Sequence, residues 1–360
     1  MLRATLLSLA VLLCVVAASL IVGTASASPV VPYGLAPHLT AADVGVVINT
    51  ADPLSEQIGA YYIRVRHIPK ENVIRVRFDP GRDDLSPGEF TVLRVGIEHQ
   101  IGVRVQAYAL TWARPYRVGC MSITSAFAFG FDRKYCAEGC VPTERSPYFN
   151  SPITHPFDTL GIHPAMTISA VDFPHAKALI DRGVSAETQP LAGTAYLVTT
   201  DDKARNVRSA EYPGAVSAFS EAVKFEIVHT PGLKDRGDVL FYFIGAVTVP
   251  DLQSNRFVPG AVADHLTSFG GMLTDSSQMS SLRWLEAGAT GTYGTVVEPC
   301  SFPGKFPDVR VLMAHYLGGE TLVEAYWKSV LMPGQGLFMG EPLAVLGPLL
   351  FAPSNGPSRQ

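Results

Sequence analysis

An early strand, helix and second strand constrain the fold of this chain more than any other feature. Residues 43–50 form a short apolar, β-branched run that is typical of a buried strand. Apolar side chains then recur at helical spacing from Ile58 to Val65, and residues 73–78 form a second strand-like run. A unit of this kind implies two parallel strands joined by a right-handed crossover.

The alternation of strand and helix patterns continues along the chain. Further strands are predicted at 103–112, 195–200, 239–249, 261–267 and 289–297, and further helices at 87–100, 175–187, 276–287, 309–317 and 321–330. The pattern predicts an α/β fold with an open, mostly parallel sheet and helices on both faces. We expect one domain over residues 28–360, with an irregular, cysteine-containing insertion at about 119–162.

The first 27 residues have the pattern of a secretory signal peptide. Arg3 precedes an apolar run over residues 6–22, and the small residues Ala25-Ser26-Ala27 follow that run. Cleavage after Ala27 would release an exported protein, periplasmic or extracellular, with no further stretch of membrane-spanning length. The alternative is that the apolar run stays in place as a membrane anchor.

Four cysteines follow the signal peptide: Cys120, Cys136, Cys140 and Cys300. An even number in an oxidising compartment favours disulfides, and three pairings are possible. A long irregular segment needs a cross-link to hold it, so we expect at least one disulfide within residues 119–140. Two alternatives stay open: Cys136 and Cys140 as metal ligands, and Cys300 as a free nucleophilic thiol.

Charge and motifs argue against several classes of function. The formal net charge is −4 and the basic residues form no block, so we expect no nucleic-acid binding. The first strand is followed neither by a glycine-rich dinucleotide loop nor by a phosphate-binding loop. Histidines 155, 163 and 175 lack paired ligand spacing, and we expect no metal and no cofactor.

Several longer segments resemble a family of exported bacterial proteins. They cover residues 46–62, 66–73, 265–273, 288–300 and 324–343, and they include the motifs G-A-T-G-T-Y-G-T-V-V-E-P-C and M-P-G-Q-G-L-F-M-G-E-P-L. The family occurs in species that carry the exosortase protein-sorting system. The resemblance implies an exported protein in that cellular setting, and it implies no particular activity.

A second resemblance is to the gingipain-like cysteine peptidases, which have a caspase-type fold. It concerns the order of the late elements and the turn at residues 340–342. In those enzymes a His-Gly pair follows one central strand and a Cys follows the next. Here the first of these strands ends in Gly245-Ala246, and the next leads to a pair of glycines. The resemblance therefore implies the scaffold without the catalytic positions.

The most unusual polar stretch is residues 264–271, where a carboxylate, an imidazole and two hydroxyls precede two glycines. If residues 261–267 form a strand, the following loop lies where ligands bind in open α/β sheets. Glycines there would let the backbone approach a ligand closely, whereas the simpler interpretation is a tight turn into a helix. The candidate catalytic residues here are His265, Ser268 and Asp275, and the candidate ligand-binding residues are Gly270 and Gly271.

Other strand ends also carry candidate side chains. Glu298 and Cys300 follow the strand at 289–297 and are candidate catalytic residues, with the thiolate as nucleophile beside an imidazole. Asn49 and Asp52 follow the first strand and are candidate ligand-binding residues at a helix N-terminus. The simpler interpretations are a disulfide for Cys300 and a helix cap for Asp52.

Two functions fit these observations. The first is a hydrolase whose active site is rearranged around His265, Ser268 and Cys300. The second is a non-peptidase protein that binds an envelope or matrix component, and the missing His-Gly and Cys positions favour it. Asp201 and Asp202 also follow a strand, and we interpret them as a solvated turn rather than an acid–base pair.

Overall fold

The computed structural model describes residues 36–101, 105–137, 139–273 and 276–348, and these alternate between strands and helices. The strands are β1 (Val44–Asn49), β2 (Val73–Val76), β3 (Asp84–Leu85), β4 (Ala107–Leu110), β5 (Arg117–Val118), β6 (Met121–Ser122), β7 (Ala165–Thr167), β8 (Thr194–Thr199), β9 (Lys224–His229), β10 (Val239–Gly245), β11 (Phe257–Leu266), β12 (Gly291–Thr295) and β13 (Gly336–Gly340). The helices are α1 (Pro53–Arg66), α2 (Pro87–Ile101), α3 (Ile123–Phe129), α4 (Pro156–Leu160), α5 (Phe173–Ala186), α6 (Tyr212–Phe219), α7 (Leu282–Ala287), α8 (Val309–Leu317) and α9 (Leu322–Ser329).

Ten of these strands form one sheet in the order β2-β1-β4-β7-β13-β12-β11-β10-β8-β9. Neighbouring strands run parallel, except that β12 and β13 are antiparallel. The expected α/β fold with a mostly parallel sheet is therefore confirmed. The short strands β3, β5 and β6 form a separate sheet of three strands.

The antiparallel pair divides the large sheet into two halves that point in opposite directions. The first half contains β2, β1, β4, β7 and β13, and the second half contains β12, β11, β10, β8 and β9. Thr295 at the end of β12 pairs with Gly336 at the start of β13. The carboxyl ends of the two halves consequently lie at opposite edges of the sheet.

Both faces of the second half are covered, as the alternation of side chains across a strand requires. Phe241 and Phe243 of β10 belong to the larger apolar core, which also contains residues of α6 and α8. Tyr242 and Ile244 of the same strand point to a second core around Trp284 of α7. The central strand β10 is buried along its whole length for this reason.

The described residues of the insertion at 119–162 are less irregular than expected, because they include the strand β6, the helices α3 and α4 and a 3-10 turn at Arg133–Tyr135. A disulfide joins Cys120 to Cys136, which confirms the expected cross-link within this segment. A second disulfide joins Cys140 to Cys300 and ties the insertion to the chain that follows β12. The sequence left this pairing open, because each cysteine had three possible partners.

The predicted helix at 276–287 is shorter in the structure, where α7 begins only at Leu282. The Gln278 side chain accepts hydrogen bonds from the Phe269 amide and the Thr267 hydroxyl, at 2.8 and 2.7 Å. The Ser276 hydroxyl accepts the Gln278 amide at 3.0 Å. These side chains hold the segment as a loop, because they satisfy backbone and side-chain groups without a helix.

Candidate functional site

The sequence-predicted site residues lie at two opposite edges of the sheet. Asn49 ends β1 and Asp52 follows it, at the carboxyl edge of the first half, whereas Ser268 and the Gly270-Gly271 pair follow β11, at the carboxyl edge of the second half. The residues after β1 and the residues after β11 therefore do not belong to one ligand site. Asp275 lies outside the described residues.

Asn49 and Asp52 are both engaged in local structure. The buried Asn49 side chain accepts the Ala51 and Phe78 amides, at 3.1 and 3.2 Å, and donates to the Phe78 carbonyl at 3.0 Å. Asp52 caps α1 by accepting the Leu54 amide at 2.9 Å. A side-chain carboxylate at this position satisfies one of the free amides of the first helical turn. The side chains of Asn49 and Asp52 therefore stabilise the turn that follows β1 and the start of α1.

His265 lies on β11 with only 1% of its surface exposed. Its Nδ1 accepts the Trp284 indole N–H at 2.9 Å, and its Nε2 donates to the Met279 carbonyl at 3.1 Å. Both ring nitrogens are therefore occupied in the neutral imidazole. Burial lowers the pKa of His265 to about 4, against the smaller effect of the Met279 carbonyl. No lone pair is left for a general base.

A pH effect on stability follows from His265 and from His163, which burial also holds at a pKa of about 4. Unfolded histidine has a pKa near 6.5, so the unfolded chain takes up protons first on acidification. We expect the contribution of these two histidines to the free energy of unfolding to be constant above about pH 6.5. It should then fall by about 1.4 kcal/mol per pH unit for each histidine down to about pH 4.

Urea unfolding at pH 7 and pH 5 measures this effect. His265→Gln should reduce the slope of the free energy of unfolding against pH by the amount that one proton contributes. The matched change of the exposed His38 should leave that slope unaltered. An identical slope in wild type and His265→Gln would show that His265 is already protonated in the folded protein.

The two glycines after β11 permit close packing of backbone against backbone. The Gly271 amide donates to the Thr295 carbonyl at 2.9 Å, and a Cβ at Gly271 would lie 2.5 Å from the Gly294 carbonyl oxygen. The Thr295 hydroxyl in turn donates to the Ser268 carbonyl at 2.8 Å. Gly271 therefore packs against the backbone at the end of β12 and does not border an open cavity.

Glu298 and Cys300 lie beyond the end of β12. The Cys300 sulfur is bonded to Cys140, so it is not a thiol in this state of the protein. The Glu298 carboxylate accepts the Cys300 amide at 2.8 Å. A nucleophilic thiolate beside His265 would need both a reduced sulfur and a free ring nitrogen.

A buried ion pair on the opposite face of β11 was not identified from the sequence. Asp264 and Arg208 are each 1% exposed, and Arg208 Nη2 lies 2.6 Å from an Asp264 carboxylate oxygen. Burial raises the pKa of Asp264, while the Arg208 guanidinium opposes this change. The sequence signal for this ion pair was the Asp264-His265 dipeptide within an apolar strand. Consecutive side chains of a strand point to opposite faces, so each of these two polar groups needs a buried partner of its own.

An open cleft at the carboxyl edge of the second half lies where its strand order reverses. From β8 the chain crosses outward to β9 and then back to β10 on the other side of β8. A cleft of about 540 Å³ lies beyond the ends of these three strands. We call it the switch-point cleft; it is lined by residues 200–202, 229–231 and 246–248. Open α/β sheets bind ligands at such a reversal.

Two carboxylates and an imidazole face the switch-point cleft. The Asp201 side chain is fully exposed, and His229 Nε2 lies 3.2 Å from one of its oxygens. The Asp202 carboxylate is paired with Arg205 at 2.8 Å. His229 Nδ1 lies 3.0 Å from the Thr199 hydroxyl. Asp201 therefore carries the least compensated charge among the described lining residues. No sequence pattern predicted that Asp201 and Asp202 would lie near the end of β9.

The loop at residues 200–206 forms one wall of the cleft and crosses the end of β10. Arg205 Nε donates to the Thr267 hydroxyl at 3.1 Å, and the Ala204 carbonyl accepts the Ser301 hydroxyl at 2.9 Å. The loop lies so close to Gly245 that any Cβ there would overlap the Arg205 carbonyl group. Gly245 thus marks a close approach of two backbone segments.

A second, more apolar groove lies beyond the ends of β11 and β12 and has a volume of about 520 Å³. We call it the β11–β12 groove. Its walls include Phe269, Met272, Val296 and Val297, with Arg117 and Glu298 among the polar residues. Among the described residues no group of three or more His, Cys, Asp or Glu side chains has an arrangement that could hold a metal ion. In that same part of the chain, no helix has the length and apolar character needed to cross a membrane.

Comparison with known proteins gives one structural similarity. No family model matches the chain, and no curated protein matches it. A solved structure titled "Structure of Protease" is similar over 90% of this chain and 84% of that chain, with 9% sequence identity and a TM-score of 0.48. A similarity of this size does not assign an active site or an activity to this chain.

Proposed function

We propose that this chain is an exported binding protein without peptidase activity, and that its switch-point cleft holds a cationic group of an envelope or matrix component. The proposal includes a scaffold of the caspase or gingipain type that has lost the catalytic positions. One observation carries it: the Asp201 carboxylate faces an open cleft at a strand-order reversal, where among the described residues its ion-pair partner is the imidazole of His229. Ammonium and guanidinium groups are the natural partners of such a carboxylate.

The rival hydrolase with a rearranged site needs a free imidazole and a free thiol. The two hydrogen bonds of His265 and the disulfide of Cys300 weigh against that arrangement. Ser268 would then need another base, and its carbonyl and neighbours are packed against Thr295. These contacts favour binding over catalysis at this edge of the sheet.

The test titrates the wild-type protein with N-acetylarginine amide, N-acetyllysine amide and the neutral N-acetylglutamine amide. We expect the two cationic probes to bind and the neutral probe to bind at least fivefold more weakly. Asp201→Asn should weaken cationic binding by roughly fivefold, because an exposed charge pair contributes modestly. Added salt should weaken it further. The matched variant Glu221→Gln removes an exposed carboxylate that does not line the cleft and should bind as wild type does.

Equal binding of the neutral probe, or full binding by Asp201→Asn, would refute a cation site in the cleft. A peptide library and thiol-directed labelling test the second half of the proposal. We expect no cleavage and no labelling of Cys300 without a reductant. Cleavage that both Cys300→Ala and His265→Ala abolish would establish the rearranged hydrolase instead.

A further inference from the structure

The β11–β12 groove combines apolar walls with the cationic side chain of Arg117. Phe269, Met272, Val296 and Val297 supply the apolar surface, and Arg117 reaches the groove from β5. A volume of about 520 Å³ lies within the range of small-molecule sites, which are mainly apolar with a few polar groups. The groove is separate from the switch-point cleft and is independent of the function proposed for it.

Backbone pairing holds Arg117 in place, while the Nε of its guanidinium lacks a hydrogen-bond partner among the described residues. Its strand β5 pairs with β3 on one side and with β6 on the other. Arg117 Nε is buried and has no hydrogen-bond partner among the described residues. A buried donor without a partner costs free energy, which a bound acceptor would recover.

Among the described residues, Glu298 also lines the groove, and the buried Lys305 interacts with it. The Glu298 carboxylate accepts the Cys300 amide, and it also raises the pKa of Lys305, although burial lowers that pKa to about 8 overall. Lys305 is fully buried, and its Nζ has no hydrogen-bond partner in the described part of the chain. Arg117 is thus the cation among the described residues that line the groove, and the Glu298 carboxylate beside it is already engaged by the Cys300 amide and by Lys305.

We infer that the β11–β12 groove is a binding site for a small monocarboxylate with an apolar body, such as a medium-chain fatty acid. The Arg117 guanidinium binds the carboxylate, since its planar donors match the two carboxylate oxygens. The apolar body lies against Phe269, Met272 and the Val296-Val297 pair, where burial of its methylene groups stabilises the complex.

Octanoate is the probe, with octylammonium and 1-octanol as matched ligands of the same chain length. Full-length protein carrying 13C-methyl methionine is titrated, and the Met272 methyl signal is identified from Met272→Leu. We expect octanoate to shift the Met272 signal and to bind about tenfold more tightly than either matched ligand. Equal binding of 1-octanol would overturn the carboxylate assignment, and an unmoved Met272 signal would overturn the site.

Variants of the guanidinium complete the test. Arg117→Gln should weaken octanoate binding about tenfold and leave 1-octanol binding unchanged, because only the charged contact is lost. Arg310→Gln removes an exposed arginine on α8, outside the groove lining, and should bind octanoate as wild type does. If Arg117→Gln does not fold, Arg117→Lys keeps the charge and should retain binding within about fivefold, while losing the bidentate contact. Full octanoate binding by Arg117→Gln would overturn the inference.

Discussion

Arg66→Met is expected to lower the free energy of unfolding by about 3–5 kcal/mol, because it strands a buried carboxylate. Glu341, which follows β13, has no exposed surface. Arg66 at the end of α1 donates to both of its oxygens, at 2.9 and 2.5 Å, and also pairs with Glu187. Removing one partner of a buried pair leaves the other charge uncompensated.

Urea unfolding at pH 7.5 and pH 5 measures the effect of Arg66→Met. Burial raises the pKa of Glu341, so the isolated carboxyl group takes up a proton at lower pH and the loss should shrink towards pH 5. Arg66→Met with Glu341→Gln should recover part of the loss, because the charge is removed. Arg82→Met, which breaks an exposed pair with Glu89, is the matched control and should leave the midpoint unchanged. A loss as small as that of the control would mean that Glu341 finds another partner.

Gly245→Ala is expected to cost about 2–3 kcal/mol and to displace the loop at residues 200–206. A Cβ at this position would overlap the Arg205 carbonyl group and lie 2.8 Å from the Asn206 amide nitrogen. The neighbour is backbone, which gives way only if the loop moves. Because Asp201 and Asp202 belong to this loop, the binding of cationic probes in the switch-point cleft should weaken with it.

Gly237→Ala is the matched control for Gly245→Ala. A Cβ at Gly237 meets no atom within 4 Å, so that variant should keep both the unfolding midpoint and the binding of cationic probes. Limited trypsin digestion reports on the loop directly, since Lys203 and Arg205 lie within it. Gly245→Ala should be cut there faster than either wild type or Gly237→Ala. Equal cutting rates would show that the end of β10 tolerates a side chain.

Local patterns were sufficient where one element depends on its own residues. The helix predicted at 309–317 coincides with α8, and the strand predicted at 43–50 contains β1. The α8 sequence has a periodic apolar face, whereas β1 is a continuous apolar run, and Asp308 caps α8 by accepting the Val311 amide at 2.9 Å. The helix predicted at 276–287 was too long, because the side chains of Ser276 and Gln278 bind nearby groups instead.

By itself, the sequence determined the α/β class and the mostly parallel sheet, because both follow from the alternation of strand and helix patterns. It also identified the strand ends that carry polar residues. Only the tertiary structure decided which of these ends meet, since strand order and direction are set by packing between distant segments. The antiparallel pairing of β12 with β13 separates Asn49 from Ser268, and the parallel pairing of β8 with β9, which places His229 opposite Thr199, brings His229 to Asp201. The cysteine pairing was settled in the same way, because a disulfide needs its Cα atoms close together, as Cys140 and Cys300 are at 5.5 Å.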